Sequence, residues 1–97
     1  MVLILNTTIT VGTDPVIVLQ DRQGIEQKRV CYILQNISTG GQVITISTGE
    51  PKASKASRYL AVGGTEDRMP QERPTQYAIY AISDLAGGTL AVYEESE

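Results

Sequence analysis

The sequence predicts an all-β protein: an antiparallel β-sandwich, or a jelly-roll-like barrel, of about seven to eight short strands with one long loop. Two observations lead to this prediction. Runs rich in Val, Ile, Thr and Tyr recur between clusters of glycine, proline and other turn residues. No segment of useful length shows the 3.6-residue apolar period of an amphipathic helix. We expect one domain, residues 1–97, because a second domain would leave neither half a workable core.

The first half of the chain contains four expected strands. Residues 1–11, with the run VLILNTTITV, form an N-terminal arm or strand that ends at a GTDP turn. Residues 16–19 (VIVL) follow a proline, which suits the start of a strand. Residues 29–37 (RVCYILQNI) are apolar on both faces, as in a strand that is covered on both sides. Residues 42–48 (QVITIST) alternate cleanly, and the short gap before them predicts a hairpin with the preceding strand.

The second half begins with the long loop, residues 49–74, which holds three prolines and a glycine pair. Residues 76–83 (QYAIYAIS) and 89–93 (TLAVY) flank a glycine-rich DLAGG turn. They predict a second hairpin that would place Tyr80 and Tyr93 on opposed strands. Residues 94–97 are expected to form a frayed acidic tail.

Composition excludes several functional classes. The chain has no His, no Trp, no Phe and one Cys. His/Cys zinc sites, Ser-His-Asp triads and Cys-His pairs therefore cannot be built from one chain, and we expect neither an enzyme nor a cofactor or metal protein. The net charge of −3 argues against nucleic acid as a partner, and no apolar run is long enough for a membrane span. Cys31 is expected to be a buried, inert thiol.

A basic cluster lies in the long loop of this otherwise acidic chain. Lys52, Lys55 and Arg58 form it, and Arg68 and Arg73 follow. Solvated loop charge is one interpretation. Contact with an acidic surface of a neighbouring protein is the other.

Apolar and tyrosine side chains complete the candidate interface. With no Phe or Trp, the tyrosines are the only large side chains available to fill the core, but Tyr is also common at interfaces and in sugar-stacking faces, so the three interpretations stay open. Binding of carbohydrate is the least favoured of them. The candidate interface residues are Val2, Leu3, Ile4, Leu5, Lys52, Lys55, Arg58, Tyr59, Tyr77 and Tyr80.

About two thirds of the chain resembles the small β-sandwich capsid decoration (cement) proteins of tailed bacteriophages and related viruses. The resemblance rests on RVCYILQNIST, GGQVITISTGE, ASRYLAVGGTEDR and QYAIYAISDLAGGTLAVYEE, between residues 29 and 95. It includes the Leu-x-x-Gly-Gly step from Leu60 to Gly64 and the Ile-Tyr-Ala-Ile-Ser run before the last turn.

The resemblance implies a non-enzymatic role. Such proteins bind the outer capsid surface, clamp neighbouring major capsid subunits and often form trimers. It therefore implies a homotrimer, a major capsid protein as partner, and a place on the virion after synthesis in the host cytoplasm. The alternative is a recognition module: a head-fibre, tail or carbohydrate-binding β-sandwich.

Overall fold

The computed structural model describes residues 2–51 and 58–97 and shows an all-β protein. The only helical element in these residues is a single 3-10 turn, so no described helix could cross a membrane. The elements are β1 (Leu3–Val11), β2 (Val16–Leu19), β3 (Arg29–Asn36), β4 (Ile44–Thr48), β5 (Tyr59–Leu60), β6 (Thr65–Arg68), the 3-10 helix (Pro70–Glu72), β7 (Ile79–Ser83) and β8 (Gly88–Ser96).

The strands form two four-stranded antiparallel sheets that pack as a sandwich, which confirms the predicted fold class. Sheet 1 has the order β1-β8-β3-β6, and sheet 2 has the order β2-β7-β4-β5. The inward side chains of both sheets form one core, because alternate residues of each strand point to the same face. The buried core residues are Val11, Val18, Leu19, Tyr32, Leu34, Ile44, Ile46, Leu60, Ile79, Ala81, Leu90 and Val92.

Both predicted hairpins are wrong, although the strands themselves are present. β3 pairs with β8 and β6, whereas β4 pairs with β7 and β5 in the other sheet. The connections 37–43 and 84–87 therefore cross from one sheet to the other. In consequence Tyr80 and Tyr93 lie in different sheets and not on opposed strands.

The two crossing connections bind each other, which explains why they are not hairpin turns. The backbone N–H of Val43 donates to Asp84 Oδ1 at 2.8 Å, and Gln42 Nε2 donates to the Ala86 carbonyl at 2.9 Å. The backbone N–H of Thr89 donates to Ser38 Oγ at 2.9 Å. In a hairpin, such polar groups would form hydrogen bonds within the turn. Here they form hydrogen bonds between two loops that are far apart in the sequence.

Asn36 holds the first of these connections in place. Its side chain is fully buried, and Nδ2 donates to the carbonyls of Gln42 and Leu60, both at 2.8 Å. Its Oδ1 accepts the backbone N–H of Ser38 at 3.0 Å. One amide side chain thus joins the end of β3, the crossing loop and β5.

The long loop expected over residues 49–74 contains regular structure in its described part. β6 pairs with β3 in sheet 1, and β5 pairs with β4 in sheet 2. Each is an edge strand of its sheet, and a glycine turn joins them. Gly63 has φ 85°, a conformation that other residues rarely adopt. Part of the charged composition that suggested a loop belongs to β6, whose sequence is TEDR.

The acidic end of the chain is not a frayed tail. β8 continues to Ser96, and Glu94 is buried on the inner face of sheet 1. Arg29 Nε and Arg22 Nη2 each donate to its carboxylate at 2.6 Å. Arg29 is buried as well, and its remaining donors reach backbone carbonyls of residues 20, 75 and 77. This polar network lies at the end of the sandwich where β1 begins and β8 ends.

Candidate interaction surface

Strand β1 lies at the edge of sheet 1 and pairs only with β8. The register runs from Leu3 opposite Ser96 to Val11 opposite Gly88. The other side of β1 therefore has a row of backbone N–H and C=O groups without a strand partner among residues 2–51 and 58–97. Such a row is a ready template for pairing with another chain.

The first half of β1 exposes apolar side chains on both of its faces. Leu3 and Leu5 lie on the inner face and are 44% and 42% exposed, while Ile4 lies on the outer face and is 64% exposed. Only the last part of the strand joins the core, through Val11 and the partly buried Ile9. Val2, just before the strand, is also exposed. Four consecutive apolar residues thus lie in solvent beside an open strand edge.

The two edges of sheet 1 differ in charge. β6, at the far edge, has the sequence TEDR, with three charged residues in four. β1 has the sequence LILNTTITV, with neither charge nor proline. Soluble proteins usually protect exposed edge strands with charged residues, proline or bulges. β6 follows this pattern and β1 does not, which is typical of a strand that is covered by another chain.

The outer face of sheet 1 continues the surface of β1. The register places Asn6, Tyr93 and Ile33 in one row across β1, β8 and β3. This row borders a shallow groove of about 200 Å³. Tyr93 Oη donates to Glu95 Oε2 at 2.8 Å, and this hydrogen bond raises the pKa of Tyr93.

Cys31 lies on the same outer face of sheet 1, next to Glu95. As predicted, its thiol is free and buried. Burial and the hydrogen bond to Glu95 raise its pKa, so it stays a thiol and not a reactive thiolate.

The basic cluster is only partly described. Lys52 and Lys55 lie outside the described residues. Arg58 forms a two-pronged ion pair with Glu66, and its Nη1 donates to Thr48 Oγ1 at 2.6 Å. The hydrogen bonds that Arg58 donates to the Glu66 carboxylate raise the pKa of Arg58. Arg58 therefore links the edge of sheet 2 to the edge of sheet 1 and is not a free loop cation.

The candidate tyrosines fall on sheet 2 and its flanks. Tyr59 and Tyr77 are exposed, and Tyr80 is half-buried, so none of the three is a core side chain. Tyr59 lies opposite Thr45, and Tyr80 lies opposite Ser47, on the outer face of sheet 2. The tyrosine that fills the core is Tyr32.

An arginine-lined recess lies where β6 and β5 form the edges of the two sheets. It has a volume of about 340 Å³ and is lined by Tyr32, Thr48, Arg58, Arg68, Arg73 and Thr75. The arginines lie close together in the sequence, but no sequence pattern predicts that Tyr32 lies beside them. Tyr32 lies opposite Arg68 because β3 pairs with β6 in this register. Burial, together with the nearby Glu66 carboxylate, raises the pKa of Tyr32 to about 12.

Within residues 2–51 and 58–97, no group of three or more His, Cys, Asp or Glu side chains is arranged to hold a metal ion. Neither a comparison with protein-family models nor one with characterised proteins finds a match for this chain.

Proposed function

We propose that this protein is a non-enzymatic viral structural protein that binds the outer capsid surface as a decoration or cement protein and clamps neighbouring major capsid subunits. The observation that carries the proposal is strand β1, an uncharged edge strand whose first half is apolar on both faces. Pairing with another chain would bury the exposed apolar side chains of such a strand and satisfy its open backbone edge. The resemblance of residues 29–95 to capsid decoration proteins supports the same conclusion.

In this proposal β1 adds to a sheet of an adjoining chain. Backbone hydrogen bonds along the open edge supply affinity, and the exposed Leu3, Ile4 and Leu5 supply apolar burial on both sides of the new strand pair. Three copies joined in this way form a homotrimer. A trimer binds a multi-subunit shell more tightly than one copy does, because its second and third contacts form at high effective concentration.

The test is co-sedimentation with purified capsids of the virus that encodes the protein. Wild-type protein should pellet with capsids and saturate at a fixed number of copies per shell. Ile4→Lys places a charge in the apolar segment and should reduce the bound amount at least about tenfold. Leu85→Lys is the matched control, because Leu85 is similarly exposed but lies in the loop between β7 and β8. Equal binding by wild type and Ile4→Lys would contradict the proposed role of β1.

The outer face of sheet 2 favours a second candidate, a recognition module. Tyr59 and the half-buried Tyr80 lie on this face, and the exposed ring of Tyr59 could stack on a sugar ring. A glycan array separates the two candidates. A specific glycan signal that Tyr59→Ala abolishes, without capsid binding, would replace the decoration proposal.

A further inference from the structure

The arginine-lined recess contains guanidinium groups that are not paired with a carboxylate of the described residues. Glu66 pairs with Arg58, which leaves Arg68 and Arg73. Arg68 Nη1 donates to the carbonyl of Asp67 at 2.7 Å, and neither Arg68 nor Arg73 forms an ion pair with any of the described residues. Two guanidinium groups with unused donors thus border one recess in a protein whose net charge is −3.

The nearby carboxylates are directed elsewhere. Asp67 lies opposite Ile33, on the outer face of sheet 1, whereas Arg68 lies opposite Tyr32 on the inner face. Glu72 Oε1 accepts the backbone N–H of Met69 at 2.8 Å. Neither carboxylate therefore forms an ion pair with Arg68 or Arg73 in the described part of the fold.

The backbone conformation of Arg73 is a second observation about this recess. Arg73 is the only residue other than glycine with a positive φ in residues 2–51 and 58–97, at φ 51°. This left-handed conformation costs roughly 1–2 kcal/mol in a residue with a side chain, and the following Pro74 disfavours it further. Arg73 is the C-cap of the 3-10 helix, and its backbone N–H donates to the Pro70 carbonyl at 3.2 Å, so this turn fixes the position from which its side chain reaches the recess.

We propose that the arginine-lined recess binds an oxyanion that carries two negative charges, a phosphate group or a pair of carboxylates. Arg68 and Arg73 supply the charge and the paired N–H donors that match such oxygens. The hydroxyls of Thr48 and Thr75 lie at the same recess. Arg58 also lines the recess, but its guanidinium already donates hydrogen bonds to Glu66 and Thr48. The site lies across sheet 1 from β1, so this inference does not depend on the proposed function.

The test is an NMR titration of the isotopically labelled protein in a buffer of low salt and no phosphate, which limits screening. One arm uses inorganic phosphate, the free-ion source. The other arm uses a hexa-aspartate peptide, which represents the carboxylates of a partner protein. We expect saturable shifts of the Arg68 and Arg73 side-chain N–H signals in at least one arm. The arm that saturates at the lower concentration identifies the source.

Three variants make the test specific. Arg68→Gln and Arg73→Asn should each weaken binding about tenfold or more. Asn tolerates the left-handed conformation, so Arg73→Asn should not lower the melting temperature. Lys28→Gln removes one positive charge from a side chain that does not line the recess, and it should bind like the wild type. The absence of saturable shifts in both arms would overturn the proposal. So would an equal loss of binding in Lys28→Gln, since that result would reflect net charge alone.

Discussion

Arg29 Nε donates to Glu94 Oε2 at 2.6 Å in the interior of the protein, where the two side chains are 0% and 2% exposed. The pair joins the first residue of β3 to the inner face of β8. Arg22 binds the second oxygen of the same carboxylate, Oε1, at 2.6 Å. Three charged groups thus replace an apolar core at this end of the sandwich, and removal of one leaves the others buried without a full partner.

The variant Glu94→Gln should be strongly destabilised. It keeps the shape of the side chain but leaves Arg29 as a buried charge without a counter-ion, so we expect a loss of about 3 kcal/mol in the free energy of unfolding. Urea denaturation measures this loss. Glu97→Gln is the control, because Glu97 is exposed and its hydrogen bonds with Lys28 use only backbone atoms. A loss no larger than that of the control would mean that the pair contributes nothing to stability.

The same carboxylate should make the protein sensitive to acid. Burial acts to raise the pKa of Glu94, but the hydrogen bonds and charges of Arg22 and Arg29 outweigh it and hold the pKa below the usual 4.5. A lowered pKa in the folded state stabilises the fold above the unfolded value. This stability is lost as the pH falls below about 4.5 and passes through the lowered pKa. Urea midpoints at a series of pH values should fall more steeply below pH 4.5 in the wild type than in Glu94→Gln. Parallel curves would contradict this assignment.

Asn36→Ala should destabilise the crossing between the sheets. The variant leaves the carbonyls of Gln42 and Leu60 without their buried donor, and each unsatisfied buried group costs about 1–3 kcal/mol. We expect a loss of at least about 2 kcal/mol by urea denaturation. Gln35→Ala, one residue earlier and on the outer face, should change stability by less than about 0.5 kcal/mol. If both variants lost the same amount, Asn36 would not hold the crossing.

Gly88→Ala tests the contact between β8 and the end of β1. A Cβ at Gly88 would lie 2.7 Å from the backbone oxygen of Val11, closer than such atoms approach. The backbone must move, at a cost of about 1–3 kcal/mol. At Gly12, an added Cβ meets no heavy atom within 4 Å, so Gly12→Ala should be neutral or slightly stabilising. Thermal unfolding of both variants measures the difference, and equal melting temperatures would show that β1 and β8 are not this close.

Local sequence patterns predict most of the strands but not their partners. Runs such as VLILNTTITV and the alternation of QVITIST reflect side-chain packing against a sheet, which each segment encodes by itself. A short glycine-containing connection fits a hairpin and a crossing equally well. The choice depends on groups distant in sequence, such as Asp84 Oδ1 beside the N–H of Val43. For this reason both hairpin predictions failed.

The acidic tail was mispredicted for a related reason. Glu94 lies in a charged terminal run, and nothing near it in sequence indicates that Arg22 and Arg29 surround it. The interface prediction at residues 2–5 depended only on local apolarity, and these residues are exposed in the structure. The recess could not be predicted, because it requires the register of β3 with β6.

Light scattering across a dilution series tests the central claim, that β1 binds another chain. We expect wild-type protein to form a trimer of about 32 kDa, three times the 10.5 kDa chain, and Ile4→Lys to be a folded monomer. Leu85→Lys should remain a trimer. A wild-type protein that stays monomeric at every concentration, or an Ile4→Lys variant that is still a trimer, would contradict the claim that the open edge of β1 holds the copies together.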